Sequence, residues 1–211
     1  MNIIKKCAEK INTYIKTRRS VLQFFIVNNK LAIIEENAEI SGFTDISDYE
    51  TLEKFSIEHN NTLKHLLNDD CKKRFLNGSL LSLAMQGGEW VSYGWLAQEK
   101  NFWIAETDFY VNLDLADVGI LFDFFTKEEY RGLGIYPSVI SHLNTLSRRK
   151  TNIIYCYDSN IASQKGIKKA GAVFETELTH KSDSAVHYFS SHGIKVLGSK
   201  LILFGLKYKN I

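Results

Sequence analysis

The chain has 211 residues, of which 45% are hydrophobic and 24% are charged, a composition typical of one globular domain rather than a fibre, repeat array or disordered tail. Its formal net charge of +2 is too small to favour a nucleic-acid backbone as the main partner. The three cysteines, Cys7, Cys71 and Cys156, are odd in number and far apart, which argues against a disulfide framework and against a thiolate metal cluster. The apolar runs at 22–27 and 201–206 are shorter than the about 20 residues of a membrane span. We therefore expect a soluble, cytoplasmic protein that is not inserted in a membrane.

The first part of the chain, residues 1–78, predicts a portion made of helices and short strands. Residues 1–19 carry six basic side chains against one acid and have the apolar spacing of a helix, which either packs on the core or lies on an anionic membrane. Residues 35–58 have a negative net charge instead, with eight acids against one lysine. The other expected elements of this portion are strands at 31–34 and 39–43 and helices near 48–59 and 62–76.

The second part, residues 79–211, predicts the core of the fold. The glycines at 87–88 separate two apolar and aromatic runs, a pattern that predicts a β-hairpin over 80–97. An almost continuous apolar run at 119–126 predicts a strand buried on both faces. It leads through a glycine loop and a helix to a strand at 152–157, a spacing that implies a right-handed parallel crossover. The remaining predicted elements are a strand at 102–109, a helix at 161–170, and strands at 173–178 and 197–206 that can pair with each other.

The glycine loop at 131–136 is the strongest chemical signal in the sequence. It reads Arg-Gly-Leu-Gly-Ile-Tyr and is followed by Pro137, which is favoured in the first turn of a helix. A turn of this kind presents unpaired N–H groups and the positive end of the helix dipole, which favour a phosphate or pyrophosphate. The alternative is a tight turn that needs glycine for steric reasons. The sequence lacks the motifs of P-loop proteins, dinucleotide-binding folds, α/β-hydrolases and zinc proteases.

The segment at 122–136 closely resembles the acyl-CoA loop of the GNAT acyltransferase superfamily, whose pattern is Q/R-x-x-G-x-G/A. Arg131 and Gly134 match this pattern. Tyr136 stands where the family has a small residue, a departure that would narrow or reshape the cradle for the pyrophosphate.

A second segment has the spacing of another GNAT pattern, N-x-x-[AS]-x-x-x-Y-x-x-x-G. Asn160, Ser163 and Gly171 match it, whereas Ile167 replaces the tyrosine. The resemblance covers residues 80–208 well, and residues 1–78 match only loosely.

The resemblance implies an α/β fold with a mixed central sheet that is splayed between two parallel strands and covered by helices on both faces. Acyl-CoA, either acetyl-CoA or another short acyl-CoA, would lie in the gap as a co-substrate, without a metal. The implied cofactor-binding residues are Phe124, Phe125 and Thr126 on the first parallel strand, Arg131, Gly132, Leu133, Gly134, Ile135 and Tyr136 in the loop, and Asn160 and Ser163 beside the pantetheine arm.

The chemistry implied is direct attack of a neutral amine on the thioester carbonyl. The positions where the family often has its base and its acid hold Phe122 and Ile167. Asp123 is the nearest carboxylate, but strand alternation points it to the face opposite Phe122, which favours a role in bracing the loop. Tyr157, at the end of the next strand, is a candidate proton donor to the sulfur, or an ordinary exposed tyrosine.

The loop and the Gly94-Trp95 strand look like those of GNAT members that act on amino sugars, including nucleotide-linked sugars of bacterial surface polysaccharides. The predicted partner is therefore a small-molecule amine, and a homo-oligomer stays open. The candidate acceptor-binding residues are Trp95, His180, His187 and Tyr188. The last three belong to a polar excursion at 179–196 that is either a substrate or oligomer contact or a loose hairpin tip. The alternatives are a protein or peptide N-acetyltransferase and a non-catalytic acyl-CoA-binding module.

Overall fold

The structure is a computed structural model that describes residues 21–28, 40–98, 101–104, 109–113, 118–180, 186–190, 193–196, 202–203 and 206–207. The helix expected at 1–19 and the strand expected at 31–34 lie outside these residues. The elements follow one another in this order: β1 (Val21–Asn28), β2 (Gly42–Ile46), α1 (Tyr49–Glu58), α2 (Asp69–Leu76), β3 (Leu80–Gln86), β4 (Glu89–Ala97), β5 (Asn101–Ile104), β6 (Phe109–Asn112), β7 (Val118–Thr126), α3 (Ile135–Leu146), β8 (Thr151–Tyr157), α4 (Ile161–Lys169), β9 (Val173–His180), β10 (Val186–Ser190), β11 (Gly193–Val196), β12 (Ile202–Leu203) and β13 (Leu206–Lys207).

Nine of these strands form one mixed sheet in the order β11-β10-β9-β1-β8-β7-β4-β3-β2. Within it β7 and β8 are parallel, and the other neighbouring strands are antiparallel. The helix α3 connects β7 to β8, so the expected parallel crossover is confirmed. The hairpin expected over 80–97 is also confirmed, as β3 and β4.

Helices cover both faces of the sheet, because each face carries its own apolar core. The first core cluster packs α1 and α2 on the sheet through residues such as Leu52 and Cys71. The second packs α3 and α4 on the other face through residues such as Leu143 and Ile167. The expectation of an α/β fold with a mixed sheet and helices on both faces is therefore confirmed.

The main departure from the sequence prediction concerns the strands that pair with β9. We expected 173–178 to pair with 197–206, but β9 pairs with β1 and β10. The described residues within 197–206 pair locally, in the β12–β13 hairpin. The strand β1 suits the interior of the sheet because it is apolar on both faces: Phe24 lies in the first core cluster and Phe25 in the second.

Strands from both sides of the expected boundary at 78/79 share this sheet. The edge strand β2 pairs with β3, and β1 pairs with β8 and β9. The helix expected near 48–59 is α1, and its side-chain cap is Asp48, which accepts from the Thr51 N–H. The helix expected at 62–76 is shorter, because Asn68 caps α2 and starts it at Asp69. In place of one strand at 102–109 the structure has the β5–β6 hairpin.

Candidate functional site

The two parallel strands separate halfway along their length. Their pairing ends at Leu121 and Ile154, although β7 continues to Thr126 and β8 to Tyr157. Over the same stretch β7 stays paired with β4 as far as Thr126 and Ser92. One backbone edge of residues 122–126 is therefore left without a strand partner from β8, and a gap opens in the sheet.

A groove of about 750 Å³ lies beside this gap. It runs between the splayed end of β7, the glycine loop, the first turn of α3 and the helix α4. Its lining contains ten of the eleven residues that the sequence assigned to acyl-CoA together with six further residues: Phe124, Phe125, Thr126, Tyr130, Arg131, Gly132, Gly134, Ile135, Tyr136, Pro137, Asn160, Ala162, Ser163, Lys165, Gly166 and Lys169. Leu133 is the assigned residue that does not line the groove, and its side chain is half-exposed.

The glycine loop has the backbone that an anion cradle needs. Gly132 and Gly134 have φ angles of +82° and +81°, a region that a residue with a side chain rarely adopts. Gly134 is the N-cap of α3 and, lacking a side chain, leaves the first-turn N–H groups without a side-chain acceptor. These groups and the helix dipole therefore present positive charge to the groove.

Arg131 fastens this loop to the end of β7. Its Nε donates to the Thr126 carbonyl at 3.2 Å, and the neighbouring Phe125 carbonyl accepts from the Ser92 hydroxyl at 2.7 Å. The guanidinium of Arg131 is thus partly engaged by the backbone, which holds the loop against the strand.

Tyr136 fills the part of the groove where the family pattern has a small residue. Its ring packs edge-on against Phe124, with the ring centroids 5.2 Å apart, and its hydroxyl lies 3.1 Å from the Ser163 hydroxyl. Burial raises the pKa of the Tyr136 hydroxyl well above its usual value, so this group is protonated at neutral pH. A Cβ on Gly166 would come within 2.4 Å of the Tyr136 ring, so the absence of a side chain there makes room for the tyrosine.

The second motif has a local structural role in addition to its place on the groove. The Asn160 side chain accepts from the Ser163 N–H at 3.0 Å and caps α4. Ile167, at the tyrosine position of the motif, is fully buried in the second core cluster. Lys165 and Lys169 also line the groove, and sequence reasoning missed them, although their i, i+4 spacing on a predicted helix was a signal for a shared face.

Asp123 does not lie where strand alternation placed it. A β-bulge sets two residues, Asp123 and Phe124, opposite Gly94, and Asp123 has a φ of +50°. Its carboxylate forms an ion pair with Arg74 of α2. The expectation that Asp123 points away from Phe122 is therefore wrong, because a bulge breaks the two-residue period on which it depended.

The Arg74 guanidinium packs against two aromatic rings on the α2 face of the sheet. Its Cζ is 5.0 Å from the Trp95 ring centroid and 5.1 Å from that of Phe122. The Arg74 and Asp123 side chains keep 31% and 38% of their surface exposed, so both remain open to solvent. Burial, reinforced by the charge of Asp123 and opposed by that of Arg74, raises the pKa of the neighbouring Tyr93 hydroxyl to about 12.

Tyr157 and Asp123 lie on the same face of the sheet, in the stretches of β8 and β7 that have separated. Along β8, Ile153 belongs to the first core cluster and Tyr155 packs against it, and alternation gives Tyr157 the same side. The side chain of Tyr157 is half-exposed. Phe124, by contrast, points to the α3 face, where it occupies the space beside Gly94. The groove and these two candidate residues are therefore on opposite faces, and the gap between β7 and β8 joins them.

The expected acceptor-binding residues are not brought together. Trp95 is fully buried between Arg74 and Phe75, which corrects the expectation that it stacks on an acceptor. The described residues of the excursion at 179–196 belong to strands, because β10 pairs with β9 and β11. His180 ends β9, while His187 and Tyr188 are on β10, which is separated from β8 by β9 and β1. Three strand spacings of about 4.8 Å put it about 14 Å from β8. The side chains of these three residues lie outside the described part.

Among the residues that the structure describes, no three or more His, Cys, Asp or Glu side chains lie close enough together to hold a metal ion. None of the helices that the structure describes has the length and apolar character needed to cross a membrane.

Comparison with known proteins gives structural similarity only. No protein-family model matches the sequence, and no curated protein matches it either. A conserved protein of unknown function from Staphylococcus epidermidis shares the fold, with a TM-score of 0.52, 12% identity, and coverage of 84% of this chain and 66% of that chain.

Structures of GNAT acetyltransferases are also among the similar ones. A GNAT-family acetyltransferase from Colwellia psychrerythraea has a TM-score of 0.47 and 16% identity over 82% of this chain and 71% of that one. A GCN5-related glucosamine N-acetyltransferase region of a fungal multi-domain β-N-acetylglucosaminidase has a TM-score of 0.46 and 15% identity over 81% of this chain and 22% of that one.

Proposed function

We propose that this protein is a GNAT-type N-acyltransferase that moves a short acyl group from acyl-CoA to a primary amine in the cytoplasm. One observation carries the proposal: a glycine loop of the GNAT pattern caps α3 and opens on a groove beside the gap between two splayed parallel strands. The loop suits a pyrophosphate, and the free edge of β7 suits the amide groups of a pantetheine arm. Together they suit the anionic pyrophosphate and the amide-bearing arm of acyl-CoA.

The transfer proceeds by attack of the amine nitrogen on the thioester carbonyl through the gap. A C–N bond forms, the C–S bond breaks, and coenzyme A leaves as its thiol. The amine must lose a proton and the thiolate must gain one. Asp123, two residues beyond the last β7–β8 pair, is the proton acceptor and Tyr157, at the end of β8, is the donor. Both lie across the sheet from the groove.

The acceptor that we propose is the amino group of an amino sugar, with a nucleotide-linked sugar of bacterial surface polysaccharide synthesis as the specific case. Its support is the sequence resemblance around the loop and the aromatic residues beside the gap. Trp90 and Tyr93 pack against Phe125, whose side chain is 39% exposed and offers a flat face for a sugar ring.

The test is a thiol-release screen of acyl-CoAs against amino sugars, nucleotide-linked amino sugars, polyamines and peptides, with mass spectrometry of the products. We expect thiol release and an N-acylated amino sugar. Turnover with peptides alone would replace this acceptor with the protein or peptide alternative.

A second candidate is a non-catalytic acyl-CoA-binding module, which one observation favours. Phe122 and Ile167 occupy the positions where the family often has a base and an acid, and both are buried apolar residues. Tight acyl-CoA binding without thiol release for any amine in the screen would establish this second candidate.

A further inference from the structure

We propose that the Arg74–Asp123 ion pair is a recognition site for an amine that also carries an acidic group, either a carboxylate or a phosphate. The ammonium or amine end lies at Asp123 and the acidic end at Arg74. This inference rests on the proposed function for the identity of the site as the acceptor site. It adds the chemical class of the acceptor.

The conformation of Asp123 points to a ligand at this place. A non-glycine residue in the left-handed region costs of order 1 kcal/mol or more and persists where the surroundings demand it. Here the φ of +50° accompanies the bulge, which swings the carboxylate to the α2 face two residues beyond the end of the β7–β8 pairing at Leu121. The strained backbone thus places a carboxylate beside the gap.

Arg74 is held so that its donors stay usable. The aromatic rings of Trp95 and Phe122 lie under its guanidinium and leave the planar edge of the group for hydrogen bonds. Five N–H donors exceed what one carboxylate accepts, and 31% of the side chain is exposed. An incoming carboxylate or phosphate can therefore receive a bidentate pair of hydrogen bonds.

The pairing of the two charges selects against singly charged ligands. A simple amine that engages Asp123 draws it away from Arg74, which then lies over aromatic rings without an anion. A simple anion that engages Arg74 leaves Asp123 without a cation. Loss of one partner of a partly buried pair is unfavourable, whereas a ligand with both charges replaces one ion pair with two. The site therefore favours a dipolar ligand.

The acidic group has two natural sources with the same chemistry at Arg74. One is the phosphate of an amino sugar phosphate or nucleotide-linked amino sugar, and the other is the carboxylate of an amino acid. The exposed face of Phe125, on the same side of the sheet, can pack against the sugar ring or the aliphatic part of either ligand.

The experiment measures equilibrium binding by calorimetry on the full chain with matched pairs of amines. The pairs are glucosamine 1-phosphate against glucosamine, and β-alanine against β-alaninamide, so that the two arms separate phosphate from carboxylate. Charge-assisted hydrogen bonds of this kind give about tenfold to a hundredfold in affinity. We expect the acidic member of at least one pair to bind tighter by that factor.

Four variants test the roles of Arg74 and Asp123. Arg74→Gln keeps much of the side-chain length without the charge and should remove the preference, and Arg74→Lys should restore part of it. Lys73→Gln is the matched control, since Lys73 is exposed on the same helix and pairs with Asp70, and the preference should be unchanged. Asp123→Asn, which tolerates a positive φ, should weaken the binding of both members of each pair.

Several outcomes overturn the inference. Equal affinity within both pairs, no binding of either acidic amine, or a preference that survives in a folded Arg74→Gln variant would each do so. A shift in the melting temperature of Arg74→Gln without a change in the preference would show a structural brace only. Acyl-CoA affinity, measured on the same proteins, tests the proposed function separately: its absence beside an intact acid preference would remove the acyltransferase proposal and leave the dipolar site.

Discussion

The Tyr136 hydroxyl lies 3.1 Å from the Ser163 hydroxyl and joins the first turn of α3 to the first turn of α4 across the groove. The two residues come from the two sequence motifs. The motifs are therefore physically linked in this protein, by a side chain that the family pattern does not contain. Gly166 completes the arrangement, because its missing side chain is the space that the Tyr136 ring occupies.

Gly166→Ala should destabilise the protein despite the helix propensity of alanine. The new Cβ would lie 2.4 Å from Tyr136 Cδ1, and overpacking of this kind costs about 1–3 kcal/mol, against a gain of about 1 kcal/mol for replacing glycine in a helix. The Tyr136→Ala and Gly166→Ala double variant should be less destabilised than the sum of the single changes. Urea unfolding of all four proteins measures this coupling, and strictly additive free energies would show that the contact does not constrain the helix.

Gly134→Val should abolish tight acyl-CoA binding. Its side chain would stand at the N-cap of α3, where the pyrophosphate must approach the first-turn N–H groups, and we expect a loss of at least tenfold in affinity by calorimetry. Gly88→Val is the matched control for backbone strain, since Gly88 has a φ of +86° in the β3–β4 turn with open space around it. If a folded Gly134→Val protein bound acyl-CoA like the Gly88→Val protein, the loop would not be the cofactor site.

The elements that the sequence predicted well depend on local spacing. A glycine loop, a proline in the first turn and an apolar stripe specify α3 within a dozen residues, and the crossover to β8 follows from chirality. The residues of the groove were assigned from the resemblance of two short motifs to the GNAT patterns. That resemblance needed no knowledge of which distant strands would pair.

The features that it missed are non-local. The apolar run of β1 was visible, but nothing in it specifies that it pairs between β8 and β9. Arg74 is 49 residues from Asp123 and has no motif of its own. The bulge at Asp123 reverses the expected face of one side chain, and a two-residue period cannot predict the position where it is broken.

Asp123→Asn and Tyr157→Phe should each keep measurable turnover. A free amine can lose its proton to solvent before it binds, and general acid or base help is typically worth about 10² to 10⁴ in rate. We therefore expect slower but detectable thiol release from either variant when both substrates are saturating. Complete loss of activity in a folded variant that still binds both substrates would identify an indispensable proton-transfer residue.

The acid stability of the protein should depend on the contact between Asp45 of β2 and His142 of α3. The His142 Nε2 lies 3.0 Å from Asp45 Oδ1, and the imidazole stacks on Phe43 with ring centroids 3.8 Å apart. Burial acts to raise the pKa of the Asp45 carboxyl, but the hydrogen bond to His142 and the charge of His142 oppose it and hold the pKa below its usual value. This contact joins the edge strand of the sheet to the helix that carries the glycine loop.

A carboxyl whose pKa is lower in the folded state stabilises the fold above its unfolded value of about 3.9 and loses this contribution as the pH falls through the folded pKa. The free energy of unfolding should therefore decrease as the pH is lowered below about 4. Asp45→Asn should make this decrease less steep, because the group that takes up the proton is gone. Urea unfolding between about pH 5 and pH 2.5 measures the slope, with Glu53→Gln, an exposed carboxylate of α1, as the control. An Asp45→Asn protein with the same slope as the unaltered protein would show that the Asp45 contact with His142 contributes nothing to acid stability.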